Sequence, residues 1–433
     1  MDKILNQCLL AILLAILIIV PLFFDVRLYS VFDLSKITAF YLLVFALIVA
    51  FCVKRIINRG SSFMYNPLLL PIACYLAVAC VATCFAIDPL TSVLGGYKRY
   101  NGLFSLVCYM FMFFIITNYV EYKMIDLFLS VIIITVCLTC GYGICQNYGI
   151  DCFTWNSDMG KRIFSTTGHP AFFSAYLIMI LPLVYYRVIK AQKRSMLCLY
   201  LLCAVLIIIT FYLTKTRASF IGLVVSNIFF FALLGRTIFK WNRLKIIILL
   251  LVVVGISVFC SLKDQTVFKR FSDDINLSSE TQKLGGTMFA RYYNILTAIE
   301  VVKDYPVTGI GFGNYGFVFM PYVSKVYLAK KETRPLTENQ DRVHQDFMDV
   351  LVATGIMGLL VYLYAIWAYT RMMYVHLMNN RLLIVALSSG VLAYFIQNQF
   401  SFAHTVLPVM LFFLLGLSVV VCRTNTLTQG FIR

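Results

Sequence analysis

Twelve apolar runs dominate the chain: Leu5–Phe24, Thr38–Val53, Leu68–Phe85, Leu103–Tyr119, Leu127–Cys145, Ala171–Tyr186, Met196–Leu213, Ala218–Leu234, Ile246–Leu262, Val350–Tyr369, Leu382–Ile396 and Val406–Cys422. A bilayer core takes roughly 20 apolar residues at 1.5 Å rise each, so each run is a candidate membrane helix. None contains Asp, Glu, Lys or Arg. The seventh and eighth are separated only by Thr214–Arg217. The pattern predicts an all-α integral membrane protein of about twelve transmembrane helices. Nine spans fill residues 1–262, one large loop fills 263–349, and three spans fill 350–433.

The polar intervals set an orientation. With the N-terminus inside, the inner segments carry 17 basic and 3 acidic residues, and the short outer loops carry 8 and 5. Cytoplasmic loops of membrane proteins are enriched in Lys and Arg, so both termini are expected to be cytoplasmic. Segment 263–349 then lies outside, with 11 basic and 11 acidic residues. Within it, Phe289, Tyr292, Leu296, Ile299 and Val302 fall near helical spacing and predict an amphipathic helix. Pro306, Gly309, Gly311, Gly313 and Gly316 predict a turn-rich stretch, and a second helix begins near His344.

Composition agrees. Of 433 residues, 61% are hydrophobic and 13% charged, and mean hydropathy is +0.87; soluble domains run about 45–50% apolar and about 25% charged. Net charge is +17, but the cations lie between apolar runs, so membrane topology explains them and no nucleic-acid module is implied. Most of the fourteen cysteines sit inside apolar runs, where a thiol behaves as a small hydrophobe. Cys137 and Cys140 form a C-x-x-C, but at mid-span. The N-terminal run is long enough to span and no small-residue cleavage site follows it, so it reads as a helix, not a cleavable signal.

Three residues stand out on the expected outer face. Arg217 lies in Thr214-Lys215-Thr216-Arg217-Ala218-Ser219, a turn wedged between two spans. An interfacial arginine reaching for water is the ordinary explanation. Two cations in so tight an outer turn run against the charge bias, however, and favour an anion site, where a guanidinium binds phosphate oxygens in pairs. Arg291 sits on the proposed amphipathic helix, where a solvated charge is the ordinary explanation. His344 precedes an apolar run and has Asp341, Asp346 and Asp349 nearby; a carboxylate neighbour would raise its basicity and orient its ring, as a general base requires. Gly309-Ile-Gly311-Phe-Gly313 follows no strand of a βαβ unit, so it reads as close backbone packing or a hinge, not a nucleotide loop.

Taken together, these segments resemble the O-antigen ligase and polymerase superfamily of bacterial membrane glycosyltransferases. Gly95-Gly96-Tyr97-Lys98-Arg99-Tyr100-Asn101-Gly102-Leu103 is similar to the family's G-x-Y-x-R-x-x-G-L segment. Arg162 to Pro170 resembles R-x-F-S-T-x-G-N-P, with His169 where asparagine is usual. Thr214 to Ser219 resembles T-x-S-R-A/G, with Thr216 in place of serine. Then follow Arg291, a P-x-x-G-x-G-x-x-x-F/Y turn from Pro306 to Tyr315, and His344 opening an H-N-D/E-like segment in which Gln345 replaces asparagine. That segment ends in Gly355-Ile356-Met357-Gly358. The resemblance implies a GT-C-like fold and transfer of a glycan from an undecaprenyl-diphosphate carrier to a hydroxyl of a glycan, lipid or protein acceptor. The reaction would occur outside the cytoplasmic membrane, with neither metal nor nucleotide cofactor. It also implies that Arg217 and Arg291 bind the diphosphate and that His344 activates the acceptor; Lys98, Arg99, Arg162 and Lys215 would extend the basic pocket. A repeat-unit polymerase of the same superfamily and a twelve-span lipid-linked oligosaccharide transporter are the alternatives.

Overall fold

The computed structural model describes residues 2–57, 63–155, 162–263, 287–332, 338–378 and 380–430. Of the large loop, 264–286 and 333–337 lie outside the described residues, as do Arg59 and Arg433 of the basic set. Among the described residues the fold is helical and contains no strand. The helices are α1 (Asp2–Leu22), α2 (Asp33–Ile57), α3 (Leu69–Cys84), α4 (Pro89–Leu94), α5 (Leu103–Tyr119), α6 (Ile125–Asn147), α7 (Pro170–Lys190), α8 (Arg194–Leu213), α9 (Arg217–Leu233), α10 (Arg236–Lys263), α11 (Thr287–Asp304), α12 (Tyr315–Lys330), α13 (Asp346–His376), α14 (Arg381–Asn398) and α15 (Val406–Gly430).

Each of the twelve apolar runs overlaps a helix. Among the described residues eight helical segments are long and apolar enough to cross a membrane: α1, α2, α6 with the turn before it, α7, α8, α13, α14 and the apolar part of α15. α3, α5 and α9 are apolar but shorter. The chain is therefore an all-helical, multi-pass membrane protein.

α7 is the centre of the bundle. Nearly every residue from Pro170 to Ile189 is buried, and α8, α9 and α14 pack around it. A helix apolar on all sides carries no periodic signal of which face goes in, and α7 is of that kind. α15 packs on α5, and α13 on α3.

One charge sits where the pattern did not put it. Lys36, expected in a polar loop before the second span, lies in the first turns of α2 and is fully buried. Its Nζ donates to the carbonyl oxygens of Val20, Pro21 and Phe23 at 3.1, 3.0 and 2.8 Å. The last carbonyls of a helix lack intrahelical donors, and an ammonium with three protons satisfies those closing α1.

Residues of 287–332 and 338–352 form a small second core, separate from that of the bundle: Tyr293, Ala298, Val301, Ile310, Tyr315, Phe319, Val323 and Val352 are buried together. The amphipathic helix exists as α11, and Phe289, Leu296 and Val302 of its apolar stripe pack against this core. Tyr292 and Ile299 are exposed, while Asn294 and Thr297 are buried beside Tyr293, Ala298 and Val301. Hydrogen bonds offset the burial of those polar side chains. Thr297 donates to the Tyr293 carbonyl at 2.7 Å, and Asn294 donates to two carbonyls described below.

The glycine-rich stretch packs its backbone closely. Ile310 and Gly311 donate to the carbonyls of Val352 and Ala353, and Ile356 donates to that of Pro306. α13 breaks at Gly355, whose φ is 65°, and a Cβ there would lie 2.0 Å from the Val307 carbonyl oxygen. Only glycine permits both the left-handed backbone and that approach.

Candidate functional site

At one end of the bundle, where α5, α7, α9 and α13 begin, the short connections bring together most of the residues expected to act. Thr214–Thr216 forms the turn that projects Arg217 as the first residue of α9. Arg162 braces this turn: its Nε donates to the Thr214 carbonyl at 2.9 Å and its Nη2 to Thr216 Oγ1 at 3.0 Å. Thr216 keeps the hydroxyl that the usual serine would supply, so the substitution preserves the brace. Lys215 holds a left-handed φ of 50° in the same turn.

Arg291 is half-buried on α11. Burial, and after it the nearby charge of Arg217, lowers its pKa from the ordinary arginine value. A guanidinium stays charged under such pressure. Two like charges so held destabilise each other and are relieved by an anion between them.

His344 also has a left-handed backbone, φ 65°. The two residues before it are pinned. Asn294 Nδ2 donates to the carbonyls of Arg342 and Val343 at 2.8 and 3.0 Å, and the Val343 N–H donates to Asp349 Oδ1 at 2.8 Å. A non-glycine residue in this region is strained, and such strain persists only where its surroundings enforce it. Lys98, Tyr100, Ser165 and Lys215 have positive φ in the connections at this same end.

The expected carboxylate neighbour of His344 is present in Asp341, but other influences outweigh it. Burial is the largest influence and lowers its proton affinity; Asp341 raises it, but Arg291, Arg99 and Arg342 lower it further, to about 4. At neutral pH the imidazole is therefore uncharged, the state a proton acceptor needs.

Arg99 enters from the loop before α5. Its Nε donates to Asp341 Oδ2 at 2.6 Å, and its guanidinium lies 4.4 Å from the centre of the Phe402 ring. Against the opposing effect of burial, Arg99 keeps Asp341 below the usual carboxylate range. Lys98 turns to the rings of Tyr29 and Tyr97, at 5.0 and 6.0 Å. His169 caps α7: its Nδ1 accepts from the Ala171 N–H at 3.1 Å. Burial, with Arg162 and Arg99 beside it, holds His169 at about 4, so the ring is uncharged at neutral pH and its Nδ1, as acceptor, can replace the usual asparagine as cap. Gln345, at the N-cap of α13, makes no side-chain cap.

A cavity of about 260 Å³ lies between α3, α5, α13 and α15. Ile72, Tyr109, Leu411 and Phe412 line its apolar part, and Asp341 and Arg342 border it. Arg217, Arg291 and His344 are not among its lining residues.

Sequence reasoning missed Phe402 as a member of this cluster, and Asp33 and Arg342 with it. The one available signal was His404 in a short gap between two apolar runs.

Residues 202–363 match a protein-family model described as O-antigen ligase. The match takes in Arg217, Arg291 and His344 and leaves out the motifs around Arg99 and Arg162. No curated protein matches the chain. Over the matched residues the chain is similar to the O-antigen ligase family, in line with the resemblance its motifs carry.

Proposed function

We propose that the protein transfers a glycan from undecaprenyl diphosphate to an acceptor hydroxyl at the outer face of the bacterial cytoplasmic membrane, as an O-antigen ligase-like glycosyltransferase. The observation that supports this reading is that Arg217 and Arg291 are both half-buried, with the charge of Arg217 acting on Arg291 and that of Arg291 on His344. As the sugar–phosphate bond breaks, the departing diphosphate gains negative charge. Fixed cations in a site poor in water stabilise that charge most where it develops. His344, uncharged, takes the proton from the acceptor hydroxyl as its oxygen attacks the anomeric carbon. Arg162 and Lys215 act on the Arg217 turn, and Arg99 on the Asp341–Arg342 segment beside His344.

The apolar cavity beneath Arg342 is assigned to the carrier's hydrocarbon tail. The outward orientation rests on the basic bias of the opposite loops. The test is reconstitution with a carrier-linked glycan and candidate acceptors in EDTA, comparing wild type with His344→Ala and Arg217→Ala. Transfer that survives EDTA and collapses in both variants supports the reading, and the acceptor consumed separates ligase from polymerase. Full activity in either variant removes that residue from the mechanism; loss of wild-type activity in EDTA contradicts the metal-free reaction.

A further inference from the structure

Phe402 lies in segment 399–405, the non-helical link between α14 and α15, and is 7% exposed. Its ring meets four groups from distant parts of the chain. The His344 ring stands at 4.9 Å between centres and 64°. The Phe172 ring, from α7, stands at 5.2 Å and 70°. The guanidinium groups of Arg99 and Arg342 lie 4.4 and 5.6 Å from the ring centre. Ordinary packing would account for a buried phenylalanine, but not for two guanidinium groups drawn to one ring whose edge contact is a histidine.

The segment that carries Phe402 is fixed at several points. His404 is 1% exposed, stacks face to face on Phe172 at 4.8 Å and 11°, and sets Nε2 against Asp33 at the start of α2. Asn101 Nδ2 donates to the Ala403 carbonyl at 3.0 Å. Phe402 and His404 are two apart, and both reach Phe172. The link is thus anchored to α2, α7 and the loop before α5 while it presents one ring to His344.

We propose that Phe402 is the positioning residue of His344: its ring fixes the imidazole plane, shields that side from water and holds Arg99 and Arg342 in the same frame, with the His404–Asp33 pair anchoring the link. This rests on the reading of His344 as the base. The charged groups facing His344 are Asp341 and Arg342 before α13, Arg291 on α11 and Arg99 before α5. Asp349 on α13 holds the adjacent backbone. Removing the ring admits water to the imidazole and moves its titration from about 4 toward the ordinary value near 6.5.

The experiment uses the full chain in lipid nanodiscs with carrier-linked glycan and a saturating acceptor, comparing wild type, Phe402→Leu, Phe402→Met, Phe402→Tyr and His344→Ala. Histidine-labelled protein is titrated by NMR in parallel, with His344→Ala assigning the signal. Phe402→Leu, or Phe402→Met should the first not fold, lowers kcat roughly 10- to 100-fold with donor KM changed by less than about threefold. The acid limb of the rate profile and the NMR midpoint of His344 both rise by about one pH unit or more. Phe402→Tyr, which keeps the ring, restores most of the rate. An unchanged kcat, or a loss with the His344 midpoint unmoved, overturns the proposal, because lost packing alone does not shift that titration. Activity retained in His344→Ala would sink the reading of His344 as base; the NMR titration needs no turnover and still decides whether Phe402 shields it.

Discussion

The bundle and the small core beside it bury their residues for different ends. In the bundle, Leu13, Phe113, Phe173 and Leu387 are fully or almost fully buried among other apolar side chains. Lipid is as apolar as leucine, so this burial makes a compact scaffold but discriminates weakly between partners. The core of α11 and α12 mixes Tyr293, Asn294, Thr297 and Tyr315 with its aliphatic residues. There these four polar side chains are hydrogen-bonded: Tyr315 donates to Asn294 Oδ1 at 2.7 Å, and Asn294 donates to both carbonyls just before His344. Apolar packing fixes where the helices lie; a polar core fixes the backbone just before one imidazole.

Substitutions can break that contrast, beginning with the largest effect. Arg217→Ala and Arg291→Ala are each expected to lower transfer by about 10²- to 10³-fold. Thermal unfolding in detergent should be unchanged or slightly raised, because a like-charge pair is relieved. Leu13→Ala in the bundle should do the reverse, lowering the unfolding temperature with little change in turnover per folded molecule. Equal losses of stability in all three variants would erase the distinction.

Gly355→Ala comes next. The new Cβ would meet the Val307 carbonyl oxygen at 2.0 Å, so the glycine-rich turn must leave α13. Gly149 has a similar φ of 71°, with nothing within 4 Å of the added atom. Gly149→Ala should therefore show only the backbone strain, about 1–2 kcal/mol, and Gly355→Ala clearly more, as read by thermal unfolding and transfer rate.

Asn294→Ala should cost roughly 1–3 kcal/mol by leaving buried carbonyls without a donor. It should also lower kcat by about tenfold as the His344 backbone loosens. Asn294→Asp, which cannot donate when ionised, should resemble alanine.

A further effect is that of pH. His344 and His169 are both held at about 4 in the folded protein, below the ordinary value near 6.5. Between those limits the unfolded chain binds protons that the folded one does not, so stability falls as pH drops from about 6.5 toward 4 and is level above. Unfolding midpoints across that range check the sign, and a rate profile level from about pH 5 to 8 would accompany them.

Hydrophobic runs located every helix of the bundle because lipid demands length and apolarity, both written locally. They misplaced Lys36 because its partners, the carbonyls of Val20, Pro21 and Phe23, belong to another helix. They did not mark Asn294, which is buried on α11 by its bonds to the Arg342 and Val343 carbonyls. The motifs named Arg217, Arg291 and His344, yet the ring that touches His344 comes 58 positions later, from a gap between two spans. Only His404, two residues on, marks the place of Phe402 locally, since its role depends on how α7, α13 and α15 are assembled.

The central claim is that the two arginines hold the carrier diphosphate while His344 serves only the chemistry. Its most direct test is equilibrium binding of undecaprenyl diphosphate to purified wild type, Arg217→Ala, Arg291→Ala and His344→Gln. Each lost charge-assisted contact is expected to weaken binding roughly tenfold or more. His344→Gln is expected to bind as wild type does and to fail in transfer. Unweakened binding in both arginine variants would contradict the account.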